Sequence, residues 1–257
     1  VDVTNYVLLE ASQPLHVFDY DKLAEHRIVV RRAQSGETIV AINQKRYELQ
    51  RDMCVIADAS RAVAVAGVMG GFDTEVSDRT VNLLIESAEF DPLSIRRTSR
   101  TLGLSSDSSY RFIRGVDPAG VEWASRRCCQ LITELAGGVV ADGVVSVGSP
   151  VQPRQPIVLR FSQLKRILGI EVDPAEARQI LVRLGLIELR HDATLVEVRP
   201  PSWRRDLERE IDLVEEVGRL HGYDHVPEDV EVPMTTAPRT PRERVEAALR
   251  NTLIAAG

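Results

Sequence analysis

Four carboxylates, Asp206, Asp212, Glu215 and Glu216, stand close together in PSWRRDLEREIDLVEEVGRLHGYDHVP, the segment from Pro201 to Pro227. Read as a helix at about 100° per residue, the segment lines Leu207, Ile211, Val214 and Val217 along one stripe. The carboxylates then lie around the opposite side, and Gly222 closes the helix. Clustered hard oxygen donors suit magnesium or calcium. The same pattern is also what the solvated face of a surface helix shows, so the residues alone leave both readings open. Glu86 is a second candidate, because it ends the apolar run Asn82-Leu-Leu-Ile-Glu86. A carboxylate there could accept a hydroxyl at the bottom of an apolar pocket, or be an exposed strand end paired with Arg96 or Arg97. Ala66-Gly-Val-Met-Gly-Gly71 supplies small residues and bare backbone, for a ligand's close approach or for an ordinary turn. His16, just before Val17 and Phe18, is either a packed imidazole or a group that orients water or substrate.

The elements that must position these groups divide at prolines. Ser149-Pro-Val-Gln-Pro-Arg-Gln-Pro156 reads as a linker, and a second Pro-rich stretch runs from Pro227 to Pro241. Short β-branched or alanine-rich runs at Arg27–Arg32, Thr38–Ile42, Met53–Asp58 and Ala62–Ala66, separated by turn residues, predict strands. Asp91-Pro92 and Asp117-Pro118 each supply an N-cap followed by proline at the first helical position. The helices they open should end near Gly103 and at Gly137-Gly138. This reads as an α+β domain over 1–148 with a mixed, largely antiparallel sheet. After the linker at 149–156, residues 157–226 read as a small winged-helix-like helical domain. In it Ser162 caps a short helix ended by Gly169, and Asp173-Pro-Ala-Glu176 opens another. Ile187–His191 and Leu195–Arg199 form a hairpin, and the acidic helix follows. Residues 227–257 read as a connector and the start of a further domain.

Composition narrows the function classes. A chain of 257 residues with 44% hydrophobic content supports one or two packed domains. No run is long enough to span a membrane, and no signal-peptide pattern opens the chain. Cys54, Cys128 and Cys129 form neither a disulfide framework nor a zinc pattern, which suits a reducing, cytoplasmic home. The net charge of −6 argues against a nucleic-acid grip spread over the surface. Any RNA contact should be local, and the absence of a basic recognition helix argues against DNA.

Five blocks, in order, resemble the β subunits of bacterial phenylalanyl-tRNA synthetases: residues 1–23, 66–76, 84–104, 111–120 and the Pro201–Pro227 segment. The resemblance implies that Asp206, Asp212, Glu215 and Glu216 are magnesium ligands at a site shared with an α subunit. It implies an α2β2 assembly, tRNA(Phe) as partner, and ATP as a cofactor of the whole enzyme only. It also implies that residues 1–148 hydrolyse mischarged tyrosyl-tRNA. An apolar pocket rejects an added hydroxyl by only about 10²-fold, so a second, hydrolytic site is the remedy. In that site Thr4, Asn5, Pro14, His16, Ala66, Gly67, Glu86, Ser106 and Ser108 match pocket positions, with Glu86 reading the tyrosine hydroxyl and His16 orienting water or substrate. Ser106 and Ser108 stand where the family often has Thr and Ala, and Ile113 where it usually has Glu. The alternative reading is a scaffold that docks the α subunit and tRNA around a degenerate pocket. Val1 in place of Met, and an unsatisfied stripe of Val245, Leu249, Leu253 and Ile254, read as an excised fragment of a larger subunit.

Overall fold

Buried side chains fall into separate sets on either side of the 149–156 stretch. Before it, three clusters are built on Met53, Val55, Ile95 and Phe112, on Phe18, Ile56 and Ala66, and on Val7, Ala124 and Cys128. After it, a single cluster gathers Leu159, Leu164, Leu181, Val196, Leu213 and Val217. The structure is a computed structural model and describes residues 2–226 and 239–257. The 227–238 part of the expected Pro-rich connector lies outside the described residues.

The first half is α+β. Its largest sheet has the order β2 (Val29–Arg32), β5 (Cys54–Ala57), β6 (Ala62–Val65), β7 (Met69–Gly70), and every pairing in it is antiparallel. Every residue of β6 is buried, so it reads as a continuous apolar run rather than an alternating one. β3 (Thr38–Val40) and β4 (Arg46–Glu48) form a hairpin. β1 (Leu15–Asp19) pairs with β8 (Leu83–Ser87), far along the chain. Four helices accompany the strands: α1 (Asp2–Ala11), α2 (Pro92–Leu102), α3 (Asp107–Arg114) and α4 (Val121–Ala136). Val7 of α1 packs on Ala124 and Cys128 of α4, with Leu15 and Ile85 of the two-stranded ladder against them. That contact fixes β1 and β8 beneath the helices.

The second half has the order β9 (Ile157–Arg160), α5 (Phe161–Leu168), α6 (Pro174–Arg183), β10 (Ile187–His191), β11 (Leu195–Arg199), α7 (Glu210–His221). Its sheet runs β10-β11-β9, antiparallel throughout, which is the expected winged-helix-like arrangement of helices around a hairpin. A final helix, α8 (Pro241–Ala255), exposes Val245, Leu249, Leu253 and Ile254.

Local chemistry explains most boundaries. Asp91 accepts from Ser94 N and Asp173 from Glu176 N, each ahead of a proline at the first helical position. Gly103 and Gly169 end their helices in the left-handed conformation. Three expectations need correction. Arg160, not Ser162, is the N-cap residue of α5, because β9 runs directly into the helix. Asp117 caps a single 3-10 turn over Pro118–Gly120, and α4 begins after it. The acidic helix begins only at Glu210, so Asp206 and Leu207 precede it. Ile211 is exposed, and Glu216 takes a buried position beside Leu213, Val214 and Val217.

Candidate functional site

The β1–β8 register sets His16 directly opposite Glu86. Residues so paired on an antiparallel ladder are side-chain neighbours. The imidazole packs edge-on against Phe18 with ring centroids 4.4 Å apart. On its other side lies the backbone of β7: a Cβ on Gly70 would stand 2.4 Å from His16 Cε1 and 2.9 Å from Nε2. Only glycine lets the strand come this close, and that role for Gly70 was not singled out in the sequence. His16 Nε2 is buried without a hydrogen-bond partner among the described residues.

Glu86 forms no ion pair or hydrogen bond among the described residues, so the expected alternative of a pair with Arg96 or Arg97 is not realised. Both groups keep some accessible surface yet are densely surrounded. Burial raises the Glu86 carboxyl to about 7 and lowers the His16 imidazole to about 4. In each case the charged form is the one disfavoured. The thiol of Cys54 on β5 is also pushed up, by burial first. Arg32 opposes that shift, and the nearby Glu86 carboxylate adds to it.

The remaining residues expected at the pocket frame this pair unevenly. Ala66 is buried, and its N–H donates to Cys54 O at 3.2 Å. Gly67 has φ +66°, and a Cβ there would meet Phe90 at 2.8 Å, Ile95 at 3.0 Å and Phe112 at 3.1 Å. Its missing side chain therefore faces the hydrophobic core, so a side chain added there would disturb packing rather than line a pocket. Pro14 is buried in the α1–β1 turn, and Gln13 Nε2 ties that turn to Ala88 O at 2.8 Å, just past β8. Thr4 is half-buried and Asn5 exposed on α1.

Ser106 is the N-cap of α3 in a reciprocal capping box with Ser109. Its Oγ also donates to Val68 O at 2.8 Å, pinning the 66–71 loop to the helix start. The hydroxyl shared by Ser and Thr makes both contacts, which accounts for Ser at this position. Ser108 is half-buried on the same helix. Two surface hollows, of about 340 Å³ beside Trp123 and Arg127 and about 270 Å³ beside Arg32 and Ser94, lie away from the His16–Glu86 pair.

The four carboxylates of the second half do not converge, and among the described residues no three His, Cys, Asp or Glu side chains gather to hold a metal. Arg204 lies between two of them. Its Nη2 donates to Asp206 Oδ2 at 2.6 Å and its Nη1 to Glu216 Oε2 at 3.1 Å, while Arg219 Nη2 reaches the same Glu216 oxygen at 2.7 Å. Asp212 Oδ2 instead accepts from the backbone N–H groups of Glu208 and Arg209 at 2.9 and 2.7 Å, fastening the first turn of α7. Glu215 is exposed. Arg204 holds the Asp206 carboxyl below its ordinary range. Burial works against ionisation of Glu216, but Arg204 and Arg219 more than offset it, so its pKa too is lowered. As arranged here, the donor set does not fit a hard divalent ion, because the facing lone pairs are taken by N–H groups.

Residues 1–137 match the B3/4 domain family, and residues 157–223 match the tRNA synthetase B5 domain family. Along its whole length the chain is 49% identical to 38% of the phenylalanine–tRNA ligase beta subunit of Rhodopirellula baltica. It is 48% identical, again over its whole length, to 32% of the same subunit from Moorella thermoacetica. The chain thus spans about a third of the length of these relatives. A crystal structure of an N-terminal fragment of the phenylalanyl-tRNA synthetase beta subunit from Pyrococcus horikoshii is similar at 13% identity. It has a TM-score of 0.41 over 83% of this chain and 62% of that one, a likeness too slight to bear on the site.

Proposed function

The chain belongs to the B3/4 domain family, in the form carried by phenylalanine–tRNA ligase beta subunits, and from that premise we propose that its first half hydrolyses mischarged tyrosyl-tRNA(Phe). The observation that carries this reading is Glu86, a carboxylate with no hydrogen-bond or ion-pair partner among the described residues, set opposite His16, whose Nε2 has no hydrogen-bond partner among them either. A tyrosine phenol donating to Glu86 meets the unmet acceptor. Phenylalanine would leave it buried and alone, and sites of that kind discriminate by roughly 10⁴–10⁵.

Water attacks the ester carbonyl carbon, the bond to the terminal ribose oxygen breaks, and that oxygen takes a proton as tyrosine leaves. With its pKa held near 4, His16 is neutral at pH 7 and a weak base. Its role is therefore to orient water or the aminoacyl group through Nε2. Gly70 supplies the clearance that seats the ring, and Ser106 holds the loop behind it. Thr4, Asn5 and Ser108 are assigned to the rim that meets the tRNA end.

The second half is assigned to contact with the α subunit of a cytoplasmic heterotetramer. ATP and magnesium belong to the charging reaction of that assembly, and no step here runs through them. The test is release of tyrosine from Tyr-tRNA(Phe) by the chain itself. Hydrolysis by the unaltered chain, lost in Gly70→Ala while the circular-dichroism spectrum is kept, is the expected outcome. An inactive but folded unaltered chain would favour the scaffold reading.

A further inference from the structure

The segment before α7 presents one arginine to the acidic group and is itself held rigid. Arg154 Nη2 donates to three carbonyls of that segment, those of Arg204 at 3.3 Å, Arg205 at 3.4 Å and Leu207 at 2.7 Å. From this pinned backbone the Arg204 guanidinium forks onto both oxygens of Asp206, with Nε at 3.0 and 3.2 Å and Nη2 at 2.6 Å, and its remaining nitrogen reaches Glu216. The planar fork matches carboxylate geometry, and charge-assisted bonds of this kind are the strong ones. Two carboxylates, Asp206 and Glu216, thus face two guanidinium groups, those of Arg204 and Arg219. The group is charge-balanced without an ion.

A magnesium or manganese ion between Asp206 and Glu216 would need the lone pairs that Arg204 now uses. It would also stand against a fixed positive charge at close range. We propose that Arg204 is the resident cation of the Asp206–Glu216 pair, and that a divalent ion is admitted there only when this guanidinium withdraws. The withdrawal is a side-chain movement, because Arg154 keeps the backbone in place. Arg204 is a positioning residue in this scheme: it joins the segment to α7 and sets the threshold for metal entry.

Manganese binding to the whole chain, read from loss of the free-ion electron paramagnetic resonance signal, tests the proposal without reference to any catalytic activity. Arg204→Gln is expected to bind Mn²⁺ at least tenfold more tightly than the unaltered chain. Adding Glu216→Gln should remove that gain. Arg219→Gln, which leaves the Arg204 fork in place, should gain less. If Arg204→Gln does not fold, Arg204→Lys is read in its place, since lysine keeps a charge but not the fork, and an intermediate gain is expected. Equal affinity in the unaltered chain and the folded Arg204 variant, or tighter binding by the unaltered chain, overturns the proposal.

Discussion

At the scale of single residues, the His16–Glu86 pair makes a prediction from opposite pKa shifts. Glu86, raised to about 7, favours its neutral form in the folded state. Folding therefore keeps a proton that the unfolded chain has lost, and stability falls as pH rises from the ordinary carboxylate range to 7. His16, lowered to about 4, is neutral in the folded state where the unfolded chain is protonated. Its contribution is present above pH 6.5 and is lost as pH falls through 4. Across the shared window, native Glu86 has gained a proton and native His16 has lost one, so the two slopes cancel. Single substitutions should expose them. Glu86→Gln should leave a stability that rises between pH 4 and 6.5 by roughly 3 kcal/mol, and His16→Gln one that falls by a similar amount between pH 4.5 and 7. Urea midpoints measured along pH for both variants check this, and parallel flat profiles would show that neither group is desolvated as described. Selectivity for Tyr-tRNA over Phe-tRNA should strengthen through pH 7 in the unaltered chain, as Glu86 ionises, and be flat in Glu86→Gln.

At the scale of elements, the start of α3 couples helix stability to the site. Ser106 accepts from Ser109 N and donates to Val68 O, so one hydroxyl both caps the helix and holds the loop that carries Gly67 and Gly70. Loss of the cap costs about 1 kcal/mol, and loss of the bond to Val68 about as much again. Ser106→Ala should therefore lower stability by about 2 kcal/mol in denaturant unfolding and weaken tyrosyl-tRNA hydrolysis. Ser106→Thr should stay within about 0.5 kcal/mol of the unaltered chain, since it keeps the hydroxyl. A Thr variant as damaged as the Ala variant would mean that volume, not the hydroxyl, governs this position. α7 shows the same economy differently: Asp212 fastens its first turn, and Glu216 is buried on the strength of two arginines.

At the scale of the whole molecule, Arg205 reaches from the second half to the first. Arg205, next to Arg204 on the pinned segment, pairs with Glu89 at 2.5 Å and donates to Val116 O at 3.3 Å, lying over Gly115. Glu89 follows β8 by two residues, so the latch acts close to Glu86. The pair is partly exposed, and its thermodynamic contribution should be 1 kcal/mol or less. Its larger effect should be on how often the halves part. Arg205→Ala is expected to speed cleavage in the 149–156 stretch several-fold under limited proteolysis, and Glu89→Ala should add little to it. Unchanged cleavage would show that other contacts hold the halves together.

The sequence by itself determined the class of the fold and the helices that open at Asp91 and Asp173. These rest on local rules, namely caps, prolines and hydrophobic period, which act within a few residues. It also marked out His16 and Glu86 individually. What only the tertiary structure decided is that they face each other, because β1 finds its partner strand some seventy residues away and no turn announces the pairing. The same is true of the glycines. Gly67 and Gly70 are alike in the sequence, yet one turns its bare side to Phe90 and the other to His16, since direction depends on which elements pack behind the loop. The acidic segment is the sharpest case. Spacing placed four carboxylates together, but helical periodicity does not register the arginine that precedes the helix. Arg204 folds back onto exposed Asp206 and buried Glu216, because a carboxylate taken out of water needs a charged partner, and that need is set by what packs around Glu216.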